Sequence, residues 1–163
     1  MGTDFYESSI RPFAAIIIKI CRAYTHKQQD FDDYYQEVCL QIWRSRDQFK
    51  HQCEWSTWIY KISLNVCLTY LKKAKNKQYE FVSDPQAEAE HSDEPSDEHD
   101  SITYLYWAIR RLSETDRALI LLYLEELPQK IIAEIIGSTP NNVGVRVKRI
   151  KQRLNKIMNQ EEV

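Results

Sequence analysis

Between Pro140 and Gln160 the chain carries Arg146, Lys148, Arg149, Lys151, Arg153 and Lys156 with no acid, and Asn141 and Asn142 open the same run. Asparagine can bond an adenine edge and arginine a guanine edge, each through two atoms at once, while lysine and arginine neutralise phosphates. The candidate DNA contacts are therefore Asn141, Asn142, Arg146, Lys148, Arg149 and Arg153. A solvated basic surface helix would carry the same charges, so the preceding residues have to decide. Val143, Val147, Ile150 and Leu154 recur at spacings of four, three and four, an apolar seam on the opposite face. Upstream lies Pro128-Gln-Lys-Ile-Ile-Ala-Glu-Ile-Ile-Gly137, then Ser138-Thr139-Pro140. Proline suits a first helical turn, glycine the left-handed residue after a helix, and Thr139-Pro140 a fresh N-cap and first residue. A helix of about nine residues, a turn of three and a basic second helix make a helix-turn-helix, with Ala133 in the tight crossing. Three or four phosphate contacts would give a logarithmic salt slope of about −3, a weak hold for one module alone.

A second set of candidates lies in the first half. Asp33, Gln36 and Glu37 share one face of a helix whose other face carries Val38, Ile42 and Tyr35. Such a polar face ordinarily just meets water. Further on, Trp55, Lys61, Asn65, Lys72 and Lys73 combine an aromatic ring, an amide and cations, which suits unpaired bases and their backbone. Trp58, Ile59, Ile62, Val66 and Tyr70 fall on an inward stripe and read as core, whereas Trp55 lies outside that stripe beside the loop His51 to Glu54.

These residues need helices to position them. With 3 glycines and 5 prolines in 163 residues, and apolar residues at three-and-four spacing, the chain is predicted to be all-α. Helices are predicted over Ile10 to Ala23, Asp30 to Arg46, Ser56 to Lys75 and Ile102 to Arg111. One capped by Ser113 follows, running to Leu124, and then the helix-turn-helix pair. From Gln78 to Asp100 the chain is rich in Asp, Glu, Ser and Pro and has no large apolar residue after Val82, so it reads as a flexible, self-repelling linker. The expected organisation is a first domain over 1–77, an acidic linker over 78–100 and a second domain over 101–163. The net charge of −2 thus hides a separation of acid from base.

Composition also weighs against other classes. The apolar stretch Phe13 to Ile20 is interrupted by Lys19 and has no basic leader, so neither a signal peptide nor a membrane span is expected, and the reading is cytoplasmic. Cys21, Cys39, Cys53 and Cys67 are widely spaced, which favours reduced thiols over a disulfide framework; a metal site combining them with His26 or His51 is the lesser alternative. No phosphate-cradling glycine loop, HExxH motif or GxSxG turn occurs, so neither an enzyme nor a cofactor is expected.

The strings themselves resemble a known family. Asp33-x-x-Gln36-Glu37-Val38-x-Leu40-x-x-Trp43, then Trp55-Ser-Thr-Trp58 through Asn65 to Lys73, is similar to the first conserved domain of extracytoplasmic-function (ECF) sigma factors of bacterial RNA polymerase. Leu112-Ser-Glu-Thr-Asp-Arg117, Leu121-Leu-Tyr123, Ile132-Ala-Glu-Ile135, Gly137, Val143, Arg146, Arg149 and Leu154 resemble the second. The resemblance implies that Asp33, Gln36, Glu37 and Leu40 dock on the clamp helices of the largest polymerase subunit. It implies that Trp55, Lys61, Asn65, Lys72 and Lys73 meet the melted minus-ten element, and that the helix-turn-helix meets the minus-thirty-five element beside the flap of the second largest subunit. It further implies an anti-sigma protein as partner, a linker threading the polymerase toward the RNA exit path, no small-molecule substrate and no membrane insertion. Gly144, Ile131 and Ser138 depart from the pattern, Gly144 standing where many members carry a basic DNA contact. The other reading left by the residues is a helix-turn-helix regulator that binds a palindrome without polymerase.

Overall fold

In a computed structural model, which describes residues 2–81 and 101–159, the regular elements of the described residues are all helices. The first domain begins with α1 (Thr3–Phe5), a π turn (Tyr6–Ile10) and a 3-10 turn (Arg11–Phe13), and then builds α2 (Ala14–Tyr24), α3 (Gln28–Arg44) and α4 (Trp55–Phe81). The spacing predicts one helix from Ile10, but Pro12 lacks an N–H and its ring opposes the preceding turn, so the chain enters α2 through tighter and looser turns. Ile17, Ile20 and Cys21 of α2 meet Val38, Cys39 and Ile42 of α3 and Ile59 and Cys67 of α4 in one core.

The second domain comprises α5 (Ser101–Ile109), α6 (Glu114–Leu124), α7 (Gln129–Ile136) and α8 (Pro140–Asn159). Its core joins Leu112, Leu119, Leu122, Ile132, Val143, Val147, Ile150 and Leu154, so the seam expected on the basic helix is the face that packs. The Ser113 hydroxyl caps α6 by accepting the Asp116 N–H at 3.3 Å. Gly137 ends α7 at φ +74°, in the left-handed region, and a Cβ there would meet nothing within 4 Å. The cost of Gly137→Ala is therefore backbone strain alone. It should lower stability by about 1 kcal/mol, read as an earlier urea midpoint with an unchanged slope.

One boundary needs correction. Helix α4 continues through Phe81, so residues 78–81, assigned to the linker, extend a helix instead; the rest of the predicted linker, 82–100, lies outside the described residues. The sequence left the relative placement of the two domains open, and in the structure they pack together. Glu125 at the end of α6 binds Lys19 of α2 at 2.8 Å and accepts the Tyr60 hydroxyl of α4 at 3.2 Å. Lys61 of α4 pairs with Glu134 of α7 at 3.4 Å, and Lys75 pairs with Glu114. Arg110 and Arg117 donate to the carbonyls of Arg22 and Ala23 at 3.0 and 3.4 Å, satisfying groups that the last turn of α2 leaves without helical partners. Burial between the domains lowers the pKa of both guanidinium groups. The Tyr24 hydroxyl completes the seam by donating to the Glu114 carbonyl at 2.8 Å.

All four cysteines are free. Cys21, Cys39 and Cys67 are core residues, with the Cys21 and Cys67 sulfurs 4.0 Å apart, and burial pushes the Cys39 thiol up to about 11. These are packing thiols, poorly suited to nucleophilic or ligand chemistry. Among the described residues no cluster has the composition of a metal site, and no helix is long and apolar enough to cross a membrane.

Candidate nucleic-acid interface

Helix α8 starts where Thr139 caps it, its hydroxyl accepting the Asn142 N–H at 3.3 Å. With Val143, Val147, Ile150 and Leu154 turned inward, helical geometry sends Asn141, Lys148, Arg149 and Arg153 to the exposed side. The other two predicted contacts are less free. The Asn142 amide donates to the Ser138 hydroxyl at 3.0 Å, drawing it back toward the turn, and Arg146 leans on Asp116 of α6 at 3.6 Å. Arg146 thus fastens α8 to α6, and only a rotamer change would bring it to a base. Lys151 stands over the Tyr123 ring at 4.2 Å, which anchors the far side of the helix.

On α4, Lys61, Asn65 and Lys72 recur at spacings of four and seven and so form one stripe. Asn65, Lys72 and Lys73 are exposed, whereas Lys61 is held by Glu134 of the second domain. The structure brings the stripe together, with one of its cations already occupied.

Trp55 departs from the expectation of an outlying ring. Its indole N–H donates to the Ser9 carbonyl at 2.8 Å, and it lies edge-on to Phe5 and Phe49, with centroids 6.3 and 5.1 Å away. Sequence spacing along α4 could not reveal this, because the covering residues arrive from α1 and from the loop before α4. Phe49, which the sequence reading missed, is the hub. Its ring also meets His51 at 4.6 Å and Trp58 at 5.6 Å. Phe5, Phe49, His51 and Trp55, together with Ser9, Arg46 and Glu54, line an open cleft of about 490 Å³. His51 sits at φ +57°, an uncommon conformation for a residue with a side chain, and it turns the loop along the rim of that cleft.

Along α3, Asp33 and Gln36 are exposed, Glu37 is half-buried with its carboxylate 3.8 Å from Arg44, and Leu40 is half-buried on the same face. The result is an acidic and amide surface with an apolar patch, on the opposite side of α3 from Val38 and Ile42.

Comparison with known proteins agrees with this division. Residues 10–77 match Sigma-70 region 2, and residues 103–154 match Sigma-70, region 4. The ECF RNA polymerase sigma factor SigG of Mycobacterium tuberculosis, in strains CDC 1551 / Oshkosh and ATCC 25618 / H37Rv, is 21% identical over 178 residues. That alignment covers 93% of this chain and 48% of the relative, so the chain spans about half the length of the curated relatives it matches. Among solved structures, the sigma factor RpoE from Bartonella quintana, in complex with the anti-sigma factor NepR, superposes with a TM-score of 0.75 at 17% identity, over 97% of this chain and 98% of that one. CnrH, in complex with the cytosolic domain of CnrY, gives 0.68 at 14% identity, over 98% and 90%. Two region matches, falling in family order on the two helical domains, show that the chain belongs to the sigma-70 family.

Proposed function

We propose that the chain is a non-enzymatic subunit of RNA polymerase that directs the core enzyme to promoters and favours their melting. The observation that carries this reading is the outward face of α8, where Asn141, Lys148, Arg149 and Arg153 stand exposed on a helix held by a glycine turn. In this reading α8 enters the major groove of the minus-thirty-five element, with Arg149 and Arg153 toward phosphates or guanine edges. Asn142 and Arg146 join after release from Ser138 and Asp116. The first domain engages the minus-ten element through Asn65, Lys72 and Lys73, with Lys61 added once Glu134 lets go. The aromatic cleft at the head of α4 accepts an unpaired base, with Trp55 forming one wall.

The polymerase side of the proposal is the α3 face. Asp33, Gln36, Glu37 and Leu40 would meet the clamp helices of the largest subunit, acids toward basic side chains and Leu40 into an apolar contact. The second domain would sit at the flap of the second largest subunit. An anti-sigma protein would compete for these surfaces. One solved neighbour, the sigma factor RpoE, was captured with the anti-sigma factor NepR.

Run-off transcription with purified core polymerase on a genomic library tests the whole reading. Transcripts that start at defined sites only when the chain is added support it; binding to a palindromic duplex without any affinity for core would replace it by the independent regulator. The finer assignment predicts that Asp33→Ala with Glu37→Ala weakens the complex with core by about tenfold, as expected for two rim charges of about 0.7 kcal/mol each. Affinity should be read by surface capture of core on the immobilised chain. Helicity should stay unchanged, since neither residue belongs to the core.

A further inference from the structure

The reading helix carries a gap in its side chains, and another helix fills it. Gly144 lies in the second turn of α8, in the part that would approach bases. A Cβ built on it would fall 3.1 Å from Nε2 and 3.5 Å from Oε1 of Gln129, at the first residue of α7. The Gln129 carboxamide therefore lies over the α8 backbone where a side chain from position 144 would stand. Gln129 is exposed, and no described residue bonds its amide. Next to it, Val145 is 52% exposed, an apolar group on the face otherwise occupied by Asn141, Lys148 and Arg149.

We propose that Gln129 and Val145 together read one A·T base pair of the upstream promoter element, the carboxamide of Gln129 supplying the contact that Gly144 cannot. The inference rests on α8 being the DNA-reading helix. The chemistry selects the base pair. A carboxamide presents a donor and an acceptor side by side, which matches N6–H and N7 of adenine; guanine offers two acceptors there, so the amide oxygen would face O6 or N7 without a proton between them. Val145 favours the thymine methyl, which cytosine lacks. Because the Gln129 carboxamide stands at position 144, beside Val145 in the chain, the proposal assigns both selections to one pair. Gly144 is the enabling residue: it costs α8 helix propensity and lets the α7 side chain reach the groove.

The experiment uses holoenzyme assembled from the full chain and core polymerase, selecting from duplexes whose upstream element is randomised. The unaltered chain should return one A·T position that depends on Gln129. Gln129→Ala should lower adenine enrichment there by roughly tenfold and leave neighbouring positions intact, as loss of one bidentate base contact predicts. Gly144→Ala should blur the same position, because its Cβ displaces the amide while Gln129 remains. Val145→Ala should weaken the thymine preference at that position. The proposal is overturned if Gln129→Ala returns the same sequences, or if it weakens every sequence equally, as a phosphate contact would. Arg149→Ala serves as the reference. If it leaves upstream affinity unchanged, α8 itself has been misread; if it alone weakens binding, only the role of Gln129 falls.

Discussion

Replacing Glu125 by lysine should separate the two domains of the free protein. Both carboxylate oxygens of Glu125 are engaged across the seam, one by Lys19 at 2.8 Å and one by the Tyr60 hydroxyl at 3.2 Å. The Glu125 side chain is only 20% exposed and lines an apolar cavity of about 200 Å³ with Ile16, Ile20, Leu121 and Leu124. Lysine would face the Lys19 ammonium there and deprive the buried Tyr60 of its acceptor. Full burial would put the loss near the upper range for a broken ion pair, but Lys19 is half exposed, so about 2 kcal/mol is the appropriate scale. The rest of the seam joins surface pairs and single hydrogen bonds to the apolar surface of Ile16, Ile20, Leu121 and Leu122 around the same cavity, which a misplaced ammonium would also disturb. Small-angle scattering should show the radius of gyration rising by several Å from about 15 Å, the compact value for this chain length. Amide exchange should quicken around Tyr60 and Leu121. The exchanged pair Lys19→Glu with Glu125→Lys should restore the compact form, and a variant that stays compact without that rescue would show that Glu125 does not hold the seam.

Opening matters because a packed chain cannot perform the proposed task. The minus-ten and minus-thirty-five elements lie about 25 base pairs apart, about 85 Å of duplex at about 3.4 Å per pair. A compact chain of this length is about 40 Å across. Promoter engagement in the proposed complex therefore exchanges the seam for contacts with polymerase and DNA. The seam also holds Lys61 of α4 against Glu134, so separating the domains frees a cation for the melted strand. Opening and DNA binding are coupled through the same residues, and Glu125→Lys should assemble with core polymerase faster than the unaltered chain.

What the sequence could disclose depended on how local its cause was. The turn at Gly137, the caps at Ser113 and Thr139, and the inward seam of α8 rest on residues within one or two turns of each other, and all were legible. The packing of the domains was not, because Glu125 and Lys19 are 106 residues apart and neither looks unusual in its own helix. The signal that did exist lay in α4. Ile59, Tyr60, Ile62, Ser63, Leu64, Val66 and Cys67 are all buried, more than one stripe facing α2 and α3 could hide, and this continuous run marks a helix covered from a second side. The cover on Trp55 was hidden for a related reason: it comes from Phe5 and Phe49, outside the periodic window that set the ring apart from the inward stripe. Position 144 was legible as a departure from the family, whereas the side chain filling it was visible only once α7 lay across α8.

The largest change in DNA affinity should come from removing Lys148, Arg149 and Arg153 together. All three are exposed on the outer face of α8, and none pairs with another described residue, so their replacement by alanine leaves the fold in place. If each neutralises one phosphate, the logarithmic salt slope for the free chain on duplex DNA falls in magnitude by about 2.7. At roughly 0.1 M salt each such contact contributes about 0.9 of a power of ten, so affinity should drop several-hundredfold, and the loss should shrink as salt approaches 1 M. Fluorescence anisotropy across a salt series measures both quantities on one duplex. Arg146 makes a useful contrast, since its pairing with Asp116 keeps it from phosphate at the outset. Arg146→Ala should therefore lower the salt slope by less than any one of the three, since its contact requires release from Asp116, while loosening α8 from α6, detectable as a lower melting temperature. An unchanged slope in the triple variant would place the phosphate contacts elsewhere on the chain and remove α8 from the upstream element.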